Sequence, residues 1–356
     1  MEQKIVLVLT AGDYRTASSK YRALLLGKYL SEIRSDIQWD VARPSTKEIS
    51  ALPYLGQIWT AAQQVWQLVW FPRHDVVFIQ RALYNKFVFI GLLFQNILRI
   101  RPSIFDFDDA IFMHSGLKTR LLCKTSNAVV VGSHYLYEYA RRYNKNVTLV
   151  PTCIKFSDYA RIDRTVMSEE YPTIGWLGDA PAYLPEVRFV AEVLRMLDTR
   201  DSHFKLLLIG ARGSKEVYDL FDFLPKERRV IIDYVDAQTD ADLVPYFSNM
   251  DIGLMPLLNN EWNRGKCAFK LIQYMASGAV VVASPVGENS FLIDHKKTGI
   301  LVSTPHEWVA YLHELIKDPT LRGELGGAAR KHIQEHYSFE SRRADIAVIV
   351  DSLTYR

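Results

Sequence analysis

The chain has few cysteines, no long apolar run and almost no net charge, and each lack removes a class of protein. Cys123, Cys153 and Cys267 are odd in number and widely spaced. They give neither a disulfide framework nor a metal-ligand pattern, and they predict a reducing cytosol. The longest apolar stretch, Phe87 to Ile100, is interrupted by Gln95, Asn96 and Arg99, too short and too polar to span a bilayer. A formal net charge of +3 is small and does not suggest a nucleic-acid binder, which would show a concentrated basic face. No zinc-finger or aromatic-basic RNA-binding spacing occurs either, so nucleic acid is not an expected partner. The apolar N-terminal run reaches Gly12-Asp13 without a small-residue cleavage site and reads as a first strand, not a signal peptide. No G-x-G-x-x-G fingerprint follows that strand.

What is present is an ordinary globular composition, 49% hydrophobic and 23% charged, in 356 residues, a length that suits two cores better than one. The pattern alternates. Strands are expected at Ile5 to Thr10, Gln38 to Val41, Asp75 to Gln80, Ser103 to Asp109, Ala128 to Val131 and Val147 to Val150. Helices are expected at Ser19 to Ile33, 56 to 71, Tyr84 to Leu98 and Tyr135 to Tyr143. Pro151 breaks the series, and residues 155 to 171 read as a polar linker. A second series has strands at Thr173 to Gly178, Lys205 to Ile209, Val230 to Ile232, Ile252 to Met255, Val280 to Ala283 and Gly299 to Val302. The last helices run from Pro305 to Lys317, Leu321 to His336, and on to about Leu353.

Repeated β-α order predicts an α/β protein of two doubly wound, parallel-sheet domains. The boundaries are 1–165 and 170–338, with the terminal helix, 339–356, packing back on the first domain. In open α/β sheets the ligand sits at the carboxyl ends of the strands, and two such domains facing each other place it in a cleft.

The most informative stretch is Asn263 to Gly287. It reads as cationic loop, helix, glycine turn at Gly278, buried strand and second glycine turn. Arg264, Lys266 and Lys270 crowd the start of that helix, where amide donors and the positive dipole end also favour anions. Lys266 and Lys270 are spaced for one helical face. Gln273, further along, can meet a sugar hydroxyl. Gly287, Glu288 and Asn289 either open the next helix toward a phosphate or sugar oxygen or form an ordinary strand-to-helix turn. Such a unit can hold a diphosphate and a sugar together.

Other residues carry alternatives. Gly12, Ser18, Ser19 and Arg22 follow the first strand, either as a helix cap or as a loop over a diphosphate or acceptor. Asp106, Asp108 and Asp109 end an apolar strand. They are too close in sequence to be a glycosidase pair or metal site without a partner, and Asp108 and Asp109 either bind a ligand or cap the next helix. His114 and His134 read as structural. Trp66, Trp70, Phe71, Phe87, Phe89 and Phe94 mix with Arg73, Arg81, Lys86, Arg99 and Arg101, which suits either a core or an anionic lipid interface.

Taken in order, several segments resemble one family. They are Ala17 to Arg22, Phe105 to Phe112, Val131 to Leu136, Leu149 to Ile154, Ile174 to Gly178 and, most specifically, Trp262 to Asn289. The chain is similar to a GT-B-fold glycosyltransferase of family 4, in the branch that builds bacterial cell-surface polysaccharides. The resemblance implies two Rossmann-like domains facing a cleft. It also implies a retaining transferase that takes a sugar from a nucleotide-diphosphate sugar, with no bound metal and no cofactor. The acceptor would be a glycan or lipid-linked glycan. The place would be the cytoplasm, with peripheral contact at the inner face of the cell membrane.

The family's Glu-x7-Glu signature falls on Gly265 and Gln273, so both carboxylates are missing. Glu261, in the loop just upstream, is the candidate replacement, with Asp108 and Asp109 as the other catalytic candidates. The usual Arg and Lys after Gly178 are also missing, which leaves Arg264, Lys266 and Lys270 to hold the diphosphate. The broken signature keeps a non-catalytic nucleotide-sugar-binding or scaffold subunit as the alternative. A nucleotide-sugar 2-epimerase shares the two-domain fold, but no sequence feature favours it.

Overall fold

The computed structural model describes residues 3–10, 16–42, 59, 62, 74–81, 86–162, 171–200, 202–237 and 239–354. The chain divides into two compact units. One holds Met1–Cys153, Gly265–Cys267 and Phe339–Arg356; the other holds Ile154–Arg264 and Ala268–Ser338.

The first unit is built on a six-stranded sheet: β1 (Lys4–Leu9), β2 (Ile37–Ala42), β3 (Val76–Gln80), β4 (Ser103–Phe107), β5 (Ala128–Val131) and β6 (Val147–Leu149). The order is β2-β1-β3-β4-β5-β6, and every pairing is parallel. Every residue of β3, β4 and β5 is buried, because crossover helices cover both faces of a parallel sheet. The crossover after β1 enters at Ala17–Ser19, winds as a π-helix over Lys20–Leu24 and continues as α1 (Leu25–Ile33). Further crossovers are α2 (Lys86–Ile97), α3 (Phe112–Thr125) and α4 (His134–Arg141). The terminal helix Phe339–Thr354 also belongs here. Tyr29 stacks on Phe339 at 4.5 Å, and Lys4 and Arg34 both pair with Asp351.

The second unit repeats the plan with β7 (Thr173–Leu177), β8 (Lys205–Ile209), β9 (Arg229–Ile232), β10 (Ile252–Met255), β11 (Val280–Ala283) and β12 (Ile300–Leu301). The order β12-β11-β10-β7-β8-β9 is again wholly parallel. Alternate strand residues feed two cores. Ile174, Leu206, Leu208, Ile252, Leu254 and Val282 face one layer, and Leu207, Ile209, Met255, Val281 and Ala283 face the other. The strand order reverses beside β7, between β10 and β8, where such sheets open a crevice.

Two doubly wound parallel sheets were the expectation, and they are what forms. The main miss is α3. Gly116 and a break at Ser115 (φ −138°, ψ 42°) interrupt it, so its apolar residues lack a clean helical period. The expected linker is partly structured: Phe156–Tyr159 is helical, and Arg330 donates to the carbonyls of Tyr159 and Ile162 within the second unit. The expected helix at 56–71 lies outside the described residues, apart from Trp59 and Ala62. Among the described residues no helix is long and apolar enough to cross a membrane.

Helix Pro319–His336 lies against the turn that follows helix Phe269–Ala276. A Cβ at Gly326 would strike the carbonyl of Gly278, whose φ of 80° fixes that turn. Backbone cannot yield as a side chain tip can, so Gly326→Ala is expected to destabilise the second unit by roughly 1–3 kcal/mol despite the better helix propensity of alanine. Urea unfolding of the full chain, followed through the tryptophans, checks the sign; a more stable variant would refute the close approach.

Candidate active site

In the second unit the site begins with Tyr274. Burial pushes its phenol well above the ordinary range, and the hydroxyl accepts a 2.7 Å hydrogen bond from the Leu177 amide. That bond ties helix Phe269–Ala276 to the carboxyl end of β7. One turn earlier on the same helix is Lys270, whose Nζ lies 4.6 Å from the Trp176 ring and 5.0 Å from the Tyr183 ring. Gly178 makes the room, since a Cβ there would collide with that ammonium. A cation therefore stands at the end of β7, beside the point where strand order reverses.

The neighbouring loop is held tightly. Asn263 is buried and donates to Glu186 at 3.0 Å and to the Leu258 carbonyl at 2.9 Å. Glu261 and Arg264, at the two ends of the short helix Glu261–Arg264, are exposed, and Arg264 Nε donates to Asn259 at 2.7 Å.

Several sequence expectations need correction. The helix starts at Phe269, after Ala268 in left-handed conformation (φ 52°), so Lys266 is not on it and shares no helical face with Lys270. The two lysines belong to different units. Gln273 is 2% exposed, and its amide donates to buried Asp240 at 2.9 Å, which keeps it inside the core instead of facing a ribose. Gly287 (φ 56°) packs against the backbone of Arg264, where a Cβ would meet the carbonyl at 2.5 Å. Glu288 and Asn289 are buried, and the Asn289 amide closes its own turn on the Ser284 carbonyl at 3.0 Å. Gly12 lies outside the described residues.

The first unit gathers a different cluster at the ends of β1, β3 and β4. Arg22 is expected to reach a ligand, yet it is buried in a bidentate pair with Asp106, its Nε 2.9 and 3.0 Å from the two carboxylate oxygens. It also donates to the Val150 carbonyl at 2.8 Å. Ser18 does not cap its helix, where Thr16 stands at the cap position; it donates to Asp108 instead. Ser19 donates to Gln80 at 3.1 Å. Arg81, named from the sequence only among the cations of a core or lipid interface, instead pairs with Asp108 at 3.0 Å and with Asp109. It adopts a left-handed backbone (φ 62°), uncommon for a non-glycine residue, while its amide donates to the Asp106 carbonyl. An X-Arg after a buried strand carries no pattern that marks such a clamp.

The three carboxylates titrate apart. Burial raises Asp106 despite Arg22. Burial also pushes on Asp108, but Arg81, Arg22 and the Ser18 hydroxyl together hold it below the ordinary range. Asp109 is pushed up to about 6 by burial and by the Asp108 charge, with Arg81 and Lys266 opposing. Among the described residues no group of three or more His, Cys, Asp or Glu side chains is arranged to hold a metal ion. Gly265 packs so closely on Ala110 that a Cβ would sit 2.7 Å from the alanine methyl, so no glutamate fits there.

Residues 171–318, which lie in the second unit apart from Gly265–Cys267, match the family described as Glycosyl transferases group 1. "Glycosyltransferase 1 domain-containing protein 1" of Xenopus tropicalis is 28% identical over 97 residues, 27% of this chain and 28% of that protein. The "D-inositol 3-phosphate glycosyltransferase" of Pseudarthrobacter chlorophenolicus is 26% identical over 167 residues, 46% of this chain and 38% of that protein. The chain thus matches under two fifths of the length of either relative. Among solved structures, sucrose-phosphate synthase from Thermosynechococcus elongatus superposes with a TM-score of 0.73 at 14% identity, over 99% of both chains. Anabaena HepE in complex with UDP and glucose gives 0.71 at 13%, over 99% of this chain and 100% of that one. These likenesses establish the fold as GT-B.

Two outcomes follow from the carboxylate cluster. Arg22→Ala leaves Asp106 buried without its partner and is expected to cost about 3–5 kcal/mol in urea unfolding of the first unit; a loss under 1 kcal/mol would contradict the structural role. For Asp109 the raised pKa sets the sign. The proton is held more tightly in the folded chain, so its stabilising share is full below the ordinary carboxylate range and disappears as pH rises through about 6. The loss is on the order of 2–3 kcal/mol. Asp109→Asn should lack it, so wild type and variant should diverge in melting temperature between pH 4 and 7; parallel curves would sink the assignment.

Proposed function

We propose that the chain is a glycosyltransferase that takes its sugar from a nucleotide-diphosphate donor and passes it to a glycan or lipid-linked glycan in cell-surface polysaccharide synthesis. The observation that carries this is the cation at the strand-order reversal: Lys270 over Trp176 and Tyr183, beside side-chain-free Gly178, inside a Glycosyl transferases group 1 domain. A lysine ammonium there can take one phosphate oxygen of the departing diphosphate, and exposed Arg264, in the same unit, is the second cation assigned to it. Lys266, with Asp108 and Asp109 in the first unit, is assigned to the acceptor side. Glu261, at the start of the short helix Glu261–Arg264, is the carboxylate assigned to the donor sugar.

The reaction is read as retaining and metal-independent. The acceptor hydroxyl attacks the anomeric carbon on the face the diphosphate leaves. The C–O bond to phosphate breaks, and the leaving phosphate oxygen takes the hydroxyl proton. No separate general base is then required, and the protein's share is positioning and charge stabilisation. The place assigned is the cytoplasm, with peripheral contact at the inner face of the membrane. In support of that contact, Ile90, Phe94 and Ile97 line an exposed apolar side of α2, although Phe89 of the same helix is buried. The missing glutamate at Gly265 is what favours the second reading, a non-catalytic binding subunit.

A thermal-shift panel of UDP, GDP, ADP and their sugar conjugates tests the donor site. A ligand at a hundredfold excess over its Kd stabilises by about 2.7 kcal/mol. One nucleoside diphosphate should shift the wild type selectively, and Lys270→Ala should weaken its binding about tenfold or more. If no nucleotide shifts a well-folded sample, the donor reading fails. Selective binding without transfer, in extracts that contain lipid-linked glycans, would leave the non-catalytic reading standing.

A further inference from the structure

A cavity in the same unit has a chemistry opposite to that of Lys270. It measures about 310 Å³ and is bounded by Glu186 and Phe189 on helix Leu184–Asp198, Leu257 and Asn259 after β10, Ser284 after β11, and Ser303 after β12. That volume lies within the range of small-ligand sites. Among the described residues no lysine or arginine lines it.

Its one charged wall is Glu186, which is 6% exposed. One carboxylate oxygen accepts from Asn263 at 3.0 Å; no cation pairs with the group among the described residues. A carboxylate buried this far calls for further donors. An anion would be repelled, so a phosphate is the wrong occupant.

The other polar groups extend the pattern. Ser284 Oγ accepts from the Leu257 amide at 3.1 Å, which leaves its O–H to donate. Asn259 spends its carbonyl oxygen on Arg264, which leaves its NH₂. Ser303 adds an exposed hydroxyl at the rim. Between them stand apolar walls of Phe189, Leu257 and Pro285. A single ammonium would use the carboxylate and leave three segments of hydroxyl and amide unused. A ring with several hydroxyls and a C–H face uses them all.

We propose that this cavity is a subsite for an uncharged pyranose ring, with Glu186 as its fixed hydrogen-bond acceptor. The proposal deepens the glycosyltransferase reading and rests on it only for the origin of the ring, which is either the donor's sugar or a sugar of the acceptor glycan.

The full chain would be examined by saturation-transfer NMR with D-glucose, N-acetyl-D-glucosamine and maltose, with glucose 1-phosphate as the anionic comparison. At least one neutral sugar should receive saturation, and glucose 1-phosphate should bind less well than glucose. Glu186→Gln keeps the oxygen that Asn263 needs, and it should weaken the sugar about tenfold or more. Ser303→Trp fills the rim from an exposed position and should abolish binding. Nucleotide stabilisation should be unchanged in both variants. Displacement of the free sugar by a sugar nucleotide, but not by its nucleoside diphosphate, assigns the donor ring; displacement by maltose alone assigns the acceptor. The proposal is overturned if no neutral sugar binds a sample that a nucleotide still stabilises, or if binding survives both substitutions. Should no nucleotide bind while the sugar does, the donor reading fails and this subsite stands.

Discussion

A parallel sheet gathers the carboxyl ends of its strands along one edge, and the polar groups there must be satisfied by whatever the following loops bring. In the first unit the answer is charge. The crossover after β1, the residue after β3 and the end of β4 converge through Arg22, Arg81, Asp106 and Asp108. Two guanidiniums meet three carboxylates, counting Asp109, and the Lys266 ammonium acts on Asp109 as well. Burial, with the Asp108 charge beside it, raises the pKa of Asp109, the least enclosed of the three acids. Burial of Arg22 against Asp106 is therefore structural first: it locks the crossover after β1 to the end of β4 and to Val150.

The second unit solves the same problem with small residues. A Cβ at Gly253 of β10 would strike the Tyr274 ring, so its absence lets that ring lie against the strand. The hydroxyl can then reach the Leu177 amide on β7, and Lys270 follows one turn away, over Gly178. Gly210 (φ 107°) completes the approach, since a side chain there would overlap the Gly178 carbonyl. The cation at the sheet edge is thus the last link of a packing chain that starts with a glycine two strand positions away from any charge.

Most of the fold was legible because parallel strands are short, apolar and bounded by turn residues. Lys205–Ile209, Ile252–Met255 and Val280–Ala283 stand where the pattern placed them. Side-chain roles were much less legible. Arg22 and Gln273 look the same in sequence whether they face a ligand or the core; only the partners, Asp106 and Asp240, decide, and both lie far along the chain. Lys266 and Lys270 have helical spacing, but left-handed Ala268 between them starts the helix late, and nothing local marks an alanine for that conformation. Arg81 and Glu186 were missed for a related reason. Each is a charged residue after or within an apolar element, and its burial comes from tertiary packing alone.

The departure at Gly265 is best understood as a steric consequence. Its α-carbon sits against Ala110, at the start of the segment that follows the acidic strand end, and any larger residue would push the two apart. A chain that makes this close approach gives up the carboxylate that the family pattern carries there. Glu186 shows that the second unit nonetheless holds a buried carboxylate, fixed by Asn263 from the very loop that leads into Gly265. Asn263 cannot move without releasing both Glu186 and the Leu258 carbonyl, so the geometry of the cavity and the path of that loop are set by one side chain. One unit thus offers a cation beside β7 and, in a separate cavity, the buried carboxylate of Glu186. A ligand that is anionic at one end and a neutral polyol at the other is the kind of molecule for which such a division of charge is discriminating, because reversing it end for end would set phosphate against Glu186.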